Sequence, residues 1–224
     1  MISAQAIDYQ QNLHLIPAPT VFVVDDDVCV RESLDLLIRS EGWQVETFES
    51  PGELLSRPRP VVPSCLILSL CIPGLNGLEV QRQIARERAE MPIIVISGYG
   101  DVPTTVQAMK AGAVDFLVKP LGNDVLLSAI RQSLERSRVA LDREMEMRDL
   151  RDCYTSLSPR ERQVMALVVS GLLNKQIGAK LGISEITVKA HRGQVMQKMK
   201  ADSLADLVRM GARLRPSRQG IHLV

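Results

Sequence analysis

From Thr20 onward, apolar residues fall in short runs at Val21–Val24, Cys65–Leu70, Ile93–Ile96 and Val114–Val118, with a more mixed run at Gln44–Phe48. Segments of helical pattern separate them, near Arg31–Ser40 and at Pro51–Leu55, Leu78–Arg88 and Thr104–Lys110. A strand reads as a continuous apolar run when both faces of a parallel sheet are covered, and the intervening helices supply the cover. The pattern predicts a doubly wound α/β domain over residues 20–121, built on a five-stranded parallel sheet. In such a sheet the site lies at the carboxyl ends of the strands, where the strand order reverses.

Beyond this region the pattern is helical throughout. Asn123 can cap a helix that no Gly or Pro interrupts before about Tyr154, so residues 122–154 predict one long linker helix. Leu127, Ile130, Leu134 and Leu141 keep a heptad seam, but Ser137 and Glu144 occupy the alternate positions, which supports a charged spacer over a sustained coiled coil. Ser158-Pro159-Arg160-Glu161 is a capping box with proline at the first helical position, and it opens a helix running to Gly171. Asn174 can cap a short second helix with Ile177 and Leu181 on its apolar face. Gly182 then turns the chain, and Ser184 caps a third helix over Glu185–Met199. Residues 155–215 therefore read as a separate all-α helix-turn-helix domain. Residues 1–19 and 216–224 show no sustained period and predict mobile ends.

Charge divides the chain the same way. From Leu157 to Val224, 12 Lys and Arg stand against 4 Asp and Glu, a net of +8; of the chain's 27 and 26, this leaves 15 against 22, or −7, for the rest. A basic half of this kind fits a nucleic-acid partner. At 224 residues and 46% hydrophobic the chain can bury two modest cores, and with 3% aromatics these must be aliphatic. No apolar run approaches the roughly 18 residues that span a bilayer, and no basic region with a following apolar stretch opens the chain, so a cytoplasmic protein without a membrane partner is expected. Cys29, Cys65, Cys71 and Cys153 show no CxxC spacing, and His14, His191 and His222 do not cluster. Neither a zinc site, nor a disulfide framework, nor a nucleophilic triad is expected, and no catalytic residue is assigned.

At about 100° per residue, Val188, Val195 and Met199 share one narrow stripe of the third helix, which must pack on the other two. The opposite face carries Ile186, Lys189, Ala190, Gly193, Gln194 and Gln197, flanked by Lys175, Arg192 and Lys198, and is the face a recognition helix sets into a major groove. The run of Leu157, Ser158, Arg160, Glu161, Val164, Gly171, Asn174, Lys175, Ile177, Leu181, Ser184, Thr187, Val188, His191 and Lys198 resembles the LuxR-type output domain of the NarL/FixJ response regulators. The resemblance implies double-stranded DNA as partner and adds Thr187 to the interface. It also implies a homodimer paired through a fourth helix, Leu204–Leu214. A two-fold helix-turn-helix protein requires an inverted-repeat operator.

Strand one ends at Asp25-Asp26, strand four at Ser97 and strand five at Lys119-Pro120, gathering two carboxylates, a hydroxyl and an ammonium around one crevice. This constellation resembles a receiver domain, of flavodoxin-like fold, over Val21–Leu121, and IVISGYGDVPTTVQAMKAGAVDFLVKP looks like its FixJ-type branch. The resemblance implies Asp25 and Asp26 as Mg²⁺ ligands, Ser97 as the switch hydroxyl, Phe116 as the rotating aromatic and Lys119 as the phosphate-pairing cation. Where a receiver carries its phosphoacceptor aspartate, in CLILSLCIPGLNG, this chain has Ser69, and no Asp or Glu lies between Glu53 and Glu79. A neutral hydroxyl of high pKa needs a base, and one carboxylate ligand is gone, so acyl phosphate chemistry is unavailable and Mg²⁺ binding is weak at most. Asp25 and Asp26 are left facing Lys119, in a pocket expected to close without metal. The function that follows is a DNA-binding transcriptional regulator that is independent of phosphorylation and not an enzyme. The alternative is an interaction module whose degenerate receiver docks on a sensor kinase or another regulator, with DNA binding secondary.

Overall fold

Five parallel strands, β1 (Thr20–Val24), β2 (Gln44–Phe48), β3 (Ser64–Ser69), β4 (Ile93–Ser97) and β5 (Ala113–Val118), lie side by side in the order β2-β1-β3-β4-β5. The structure is a computed structural model that describes residues 18–59 and 61–214. The ends expected to be mobile, 1–19 and 216–224, lie outside the described residues except for Ala18 and Pro19, as do His14 and His222. Every position of β1, β3 and β4 is buried, which is why these strands read as unbroken apolar runs, whereas edge strand β2 mixes exposed and buried positions.

Alternate residues of the strands feed two layers. Val21, Val23, Ile67, Ile94 and Ile96 pack with Leu34 and Ile38 of α1 (Val28–Ser40) and with Leu126, Ile130 and Leu134 of α5 (Asn123–Thr155). Phe22, Val24, Leu66, Leu68 and Val95 pack with Leu54 of α2 (Pro51–Ser56), Ile84 of α3 (Gly77–Glu87) and Ala108 of α4 (Val102–Lys110). Each fully buried aliphatic side chain contributes about 1.5–3 kcal/mol. Helix α1 begins at Val28, earlier than expected, because the carboxylate of Asp27 accepts from the Cys29 N–H at 2.8 Å and caps it there.

The linker expectation is corrected at its start. Leu126, Leu127, Ile130 and Leu134 are buried against the sheet, and Ser137, fully buried, accepts from the Ser64 N–H at 3.0 Å through its hydroxyl. The first half of α5 is thus the last cover helix of the α/β unit, and the chain divides into two compact units within the helix, at Asp142 and Arg143. A heptad seam and a core-facing stripe differ only as 3.5 from 3.6 residues per turn, so the pattern alone could not separate them.

The second unit holds α6 (Pro159–Val169), α7 (Asn174–Leu181), α8 (Glu185–Met199) and α9 (Leu204–Leu214). The capping box of α6 forms as expected: the Ser158 hydroxyl accepts from the Glu161 N–H at 3.3 Å, and the Glu161 carboxylate accepts from the Ser158 N–H at 2.7 Å. Val164, Val168, Ile177, Val188, Val195, Met199 and Leu207 build one core. Gly182 ends α7 at φ +67°, the left-handed conformation that glycine adopts without cost. Gly178 serves the same turn differently, since a Cβ there would lie 2.7 Å from the carbonyl oxygen of Ile183.

Candidate functional site

Two sites follow from these elements, one in each unit. In the helical unit, Ser184 sits before α8, and its hydroxyl accepts from the Thr187 N–H at 3.1 Å, which directs α8 with Val188, Val195 and Met199 inward. The opposite face is open to solvent: Ile186, Lys189, Ala190, Gly193, Gln194 and Gln197 are all exposed, as is Lys175 on α7. Lys189 lies 3.9 Å from Glu185, an exposed pair one turn apart and so weak enough for Lys189 to exchange readily to another partner.

Three residues expected at the interface have partners inside the chain. The Thr187 hydroxyl lies 2.8 Å from that of Ser184. Arg192, half-buried, donates to the side-chain oxygen of Asn174 at 2.5 Å. Asn174 is therefore not the cap of α7; Leu173 precedes the helix, and its N–H is met by the Gln176 side chain at 2.8 Å. Lys198, expected on the groove flank, donates to both oxygens of the buried Glu161 at 2.7 and 3.0 Å. Sequence reasoning missed the Arg192–Asn174 and Lys198–Glu161 pairs because 18 and 37 residues separate their members and no local period marks them. Together they tie α8 to the start of α7 and to the start of α6.

Lys198, and after it the Ser158 N–H, holds the Glu161 carboxyl below the ordinary carboxylate range. A depressed folded pKa gives stability that is complete above the unfolded value of about 4.3 and is lost as pH falls through the lower folded value. Glu161→Gln is accordingly expected to melt below the wild type near neutral pH and to converge on it in acid. Thermal melts followed by circular dichroism across that range check this; an undiminished gap in acid would contradict it.

In the α/β unit, Val24 pairs with Leu68, so Asp25 and Ser69 emerge from adjacent strands at the same level, on either side of the point where strand order reverses. Both are buried. One oxygen of Asp25 accepts from Lys119 Nζ at 2.7 Å and the other from the Asp27 N–H at 3.0 Å. Asp26 is exposed, so of the two carboxylates expected to face Lys119 it is Asp25 that is bonded to it. Arg31, unmarked in the sequence, donates to the carbonyls of Asp25 and Asp26 at 2.7 and 3.0 Å and holds their loop. Ser97 accepts from the Tyr99 N–H at 3.1 Å and lies 3.8 Å from the sulfur of Cys71. Phe116 is half-buried beside the second core layer. Receiver domains commonly bind Mg²⁺ at this end of the sheet. The residues here fit it poorly, because Asp25 already shares its charge with Lys119, Asp26 is exposed and Ser69 adds no charge. Among the described residues no group of three His, Cys, Asp or Glu could hold a metal ion.

Residues 21–131 match the response regulator receiver domain, and residues 155–211 match the bacterial regulatory proteins of the luxR family. Nodulation protein W of Bradyrhizobium diazoefficiens is 50% identical over 194 residues, 87% of this chain and 86% of that protein. Response regulator protein TodT of Pseudomonas putida is 44% identical over 200 residues, 89% of this chain and 88% of that protein. Among solved structures, response regulator StyR superposes with a TM-score of 0.79 at 45% identity, covering 88% of this chain and all of that one.

Proposed function

Because the chain belongs to the response regulators that join a receiver domain to a luxR-family DNA-binding domain, we propose that it acts in the cytoplasm as a homodimer on an inverted-repeat operator, without phosphoryl transfer and without catalysis of its own. Ser69 carries this reading. In acyl phosphate formation an ionised carboxylate attacks phosphorus; the Ser69 hydroxyl would first have to lose its proton to a base. Asp25, at the same level, is already committed to Lys119 and the Asp27 N–H. The pocket is thus paired without phosphate, and the DNA-binding unit works from that single receiver state. Full-length protein incubated with acetyl phosphate and Mg²⁺ is expected to keep its intact mass and its DNA affinity. A phosphorylated species at Ser69 would overturn the proposal.

The open face of α8 supports groove binding, with half-sites about one helical turn apart. Lys189→Ala is expected to cost about 1–3 kcal/mol on the operator and to relax base preference, because Lys189 is exposed on that face and long enough to reach a guanine edge. Lys175→Ala should weaken all sequences alike and lower the salt slope by about 1, as loss of one phosphate contact does. Anisotropy titrations over a range of salt separate the two. An unchanged operator affinity for Lys189→Ala would mean that another face of the helix enters the groove, and salt-insensitive binding would favour the interaction-module alternative.

A further inference from the structure

Ile186 is 80% exposed, more than any other large apolar side chain among the described residues of the helical unit. It is the second residue of α8, in a first turn where the helix dipole favours acidic groups, and it takes no part in the helical core. Isolated exposed aliphatics are ordinary on protein surfaces, so exposure alone assigns nothing. The strip that Ile186 heads does. At about 100° per residue, Ile186, Ala190, Gly193 and Gln197 fall within about 60° of one another, opposite the buried Val195. Side-chain bulk falls from a branched aliphatic at Ile186 to a methyl at Ala190 to nothing at Gly193, before the strip closes on the polar Gln197. The fold itself does not call for the glycine: a Cβ at Gly193 would meet nothing within 4 Å. An interior helical glycine nonetheless weakens a helix relative to alanine. The strip is therefore shaped for something outside the chain, with an apolar end and a middle that permits close approach.

We propose that Ile186 is a base-reading residue that packs on the 5-methyl group of a thymine in the major groove, with Ala190 beside it and Gly193 bringing the helix near enough for contact. The inference rests on the DNA-binding reading above. Thymine is the base whose major-groove edge carries a methyl group, and a side chain without donors or acceptors distinguishes it by apolar contact. Lys189, three residues on, would read a neighbouring edge by hydrogen bonds, so the two side chains divide the half-site between apolar and polar recognition.

The test begins by selecting duplexes from a random pool with the full-length wild type and with Ile186→Ser. The wild type is expected to fix a thymine in each half-site that Ile186→Ser leaves free, while both retain the rest of the site. Replacing that thymine by deoxyuridine removes only the methyl group. Wild-type affinity should then fall about fourfold per methyl removed, the factor for one buried carbon, and Ile186→Ser should be indifferent. Ile186→Val, which keeps a branched apolar contact, should recover the thymine preference, and circular dichroism confirms that each variant keeps its helices. Identical selected sites for wild type and Ile186→Ser, or no wild-type penalty for deoxyuridine, would overturn the inference alone. Enrichment of no sequence by the wild type would overturn the DNA-binding reading with it.

Discussion

Gly193→Leu is expected to bind a selected operator no better than random duplex while melting at or above the wild-type temperature. These two effects have opposite signs for one reason. Within the free chain a Cβ at this position has open space, the backbone is ordinary helix and the position is exposed, so a leucine can extend into solvent. It replaces a poor helix former with a good one, worth about 0.5–1 kcal/mol of added stability. Against DNA the same side chain projects from the middle of the exposed strip and holds the helix off the groove floor. Specific complexes are typically about 10³- to 10⁷-fold tighter than non-specific ones, and most of that margin depends on base-edge contacts that cannot form at a distance. Affinity should therefore collapse by at least about a thousandfold while non-specific, salt-dependent binding persists. Retained operator affinity would show that α8 does not enter a groove by this face. A fall in melting temperature would show that Gly193 has a role within the fold.

Ser69→Asp should have the next largest effect. The new carboxylate would emerge beside the buried Asp25, at the same level of adjacent strands. Two carboxylates so placed cannot both ionise freely, and each unit by which one pKa rises corresponds to about 1.4 kcal/mol. In chelator the variant should therefore melt below the wild type. Mg²⁺ should reverse this, because a divalent cation offsets the repulsion and a third carboxylate supplies the ligand that Ser69 lacks; binding at 100 times the dissociation constant adds about 2.7 kcal/mol. Beryllofluoride uptake, or phosphorylation by acetyl phosphate, should follow in the variant and be absent in the wild type. A Ser69→Asp protein with neither Mg²⁺-dependent melting nor phosphorylation would show that the pocket has diverged beyond its acceptor. The contact between Cys71 and Ser97 is the first place to look. The receiver would then serve as a scaffold alone.

The sequence by itself determined the elements that depend on local chemistry. Continuous apolar runs marked β1, β3 and β4 because both faces of these strands are covered, so that all but their end positions are apolar. The Ser158 capping box, the left-handed Gly182 and the Ser184 cap marked the helix ends because each satisfies orphan backbone groups within a few residues. Helical phase then settled which face of α8 is buried. Tertiary structure alone decided where long side chains find partners across the fold. Lys198 and Arg192 read as groove-flanking cations, yet Glu161 and Asn174 hold them, because a cation's partner depends on which carboxylate or amide the fold brings within about 3 Å. The seam of α5 is the same case: its spacing could serve a coiled coil or a sheet, and only the packing of Leu127, Ile130 and Leu134 on the strands chose the sheet. Local order is written in periods and caps, whereas the pairing of distant charges and the partner of an apolar stripe exist only once the chain has closed on itself.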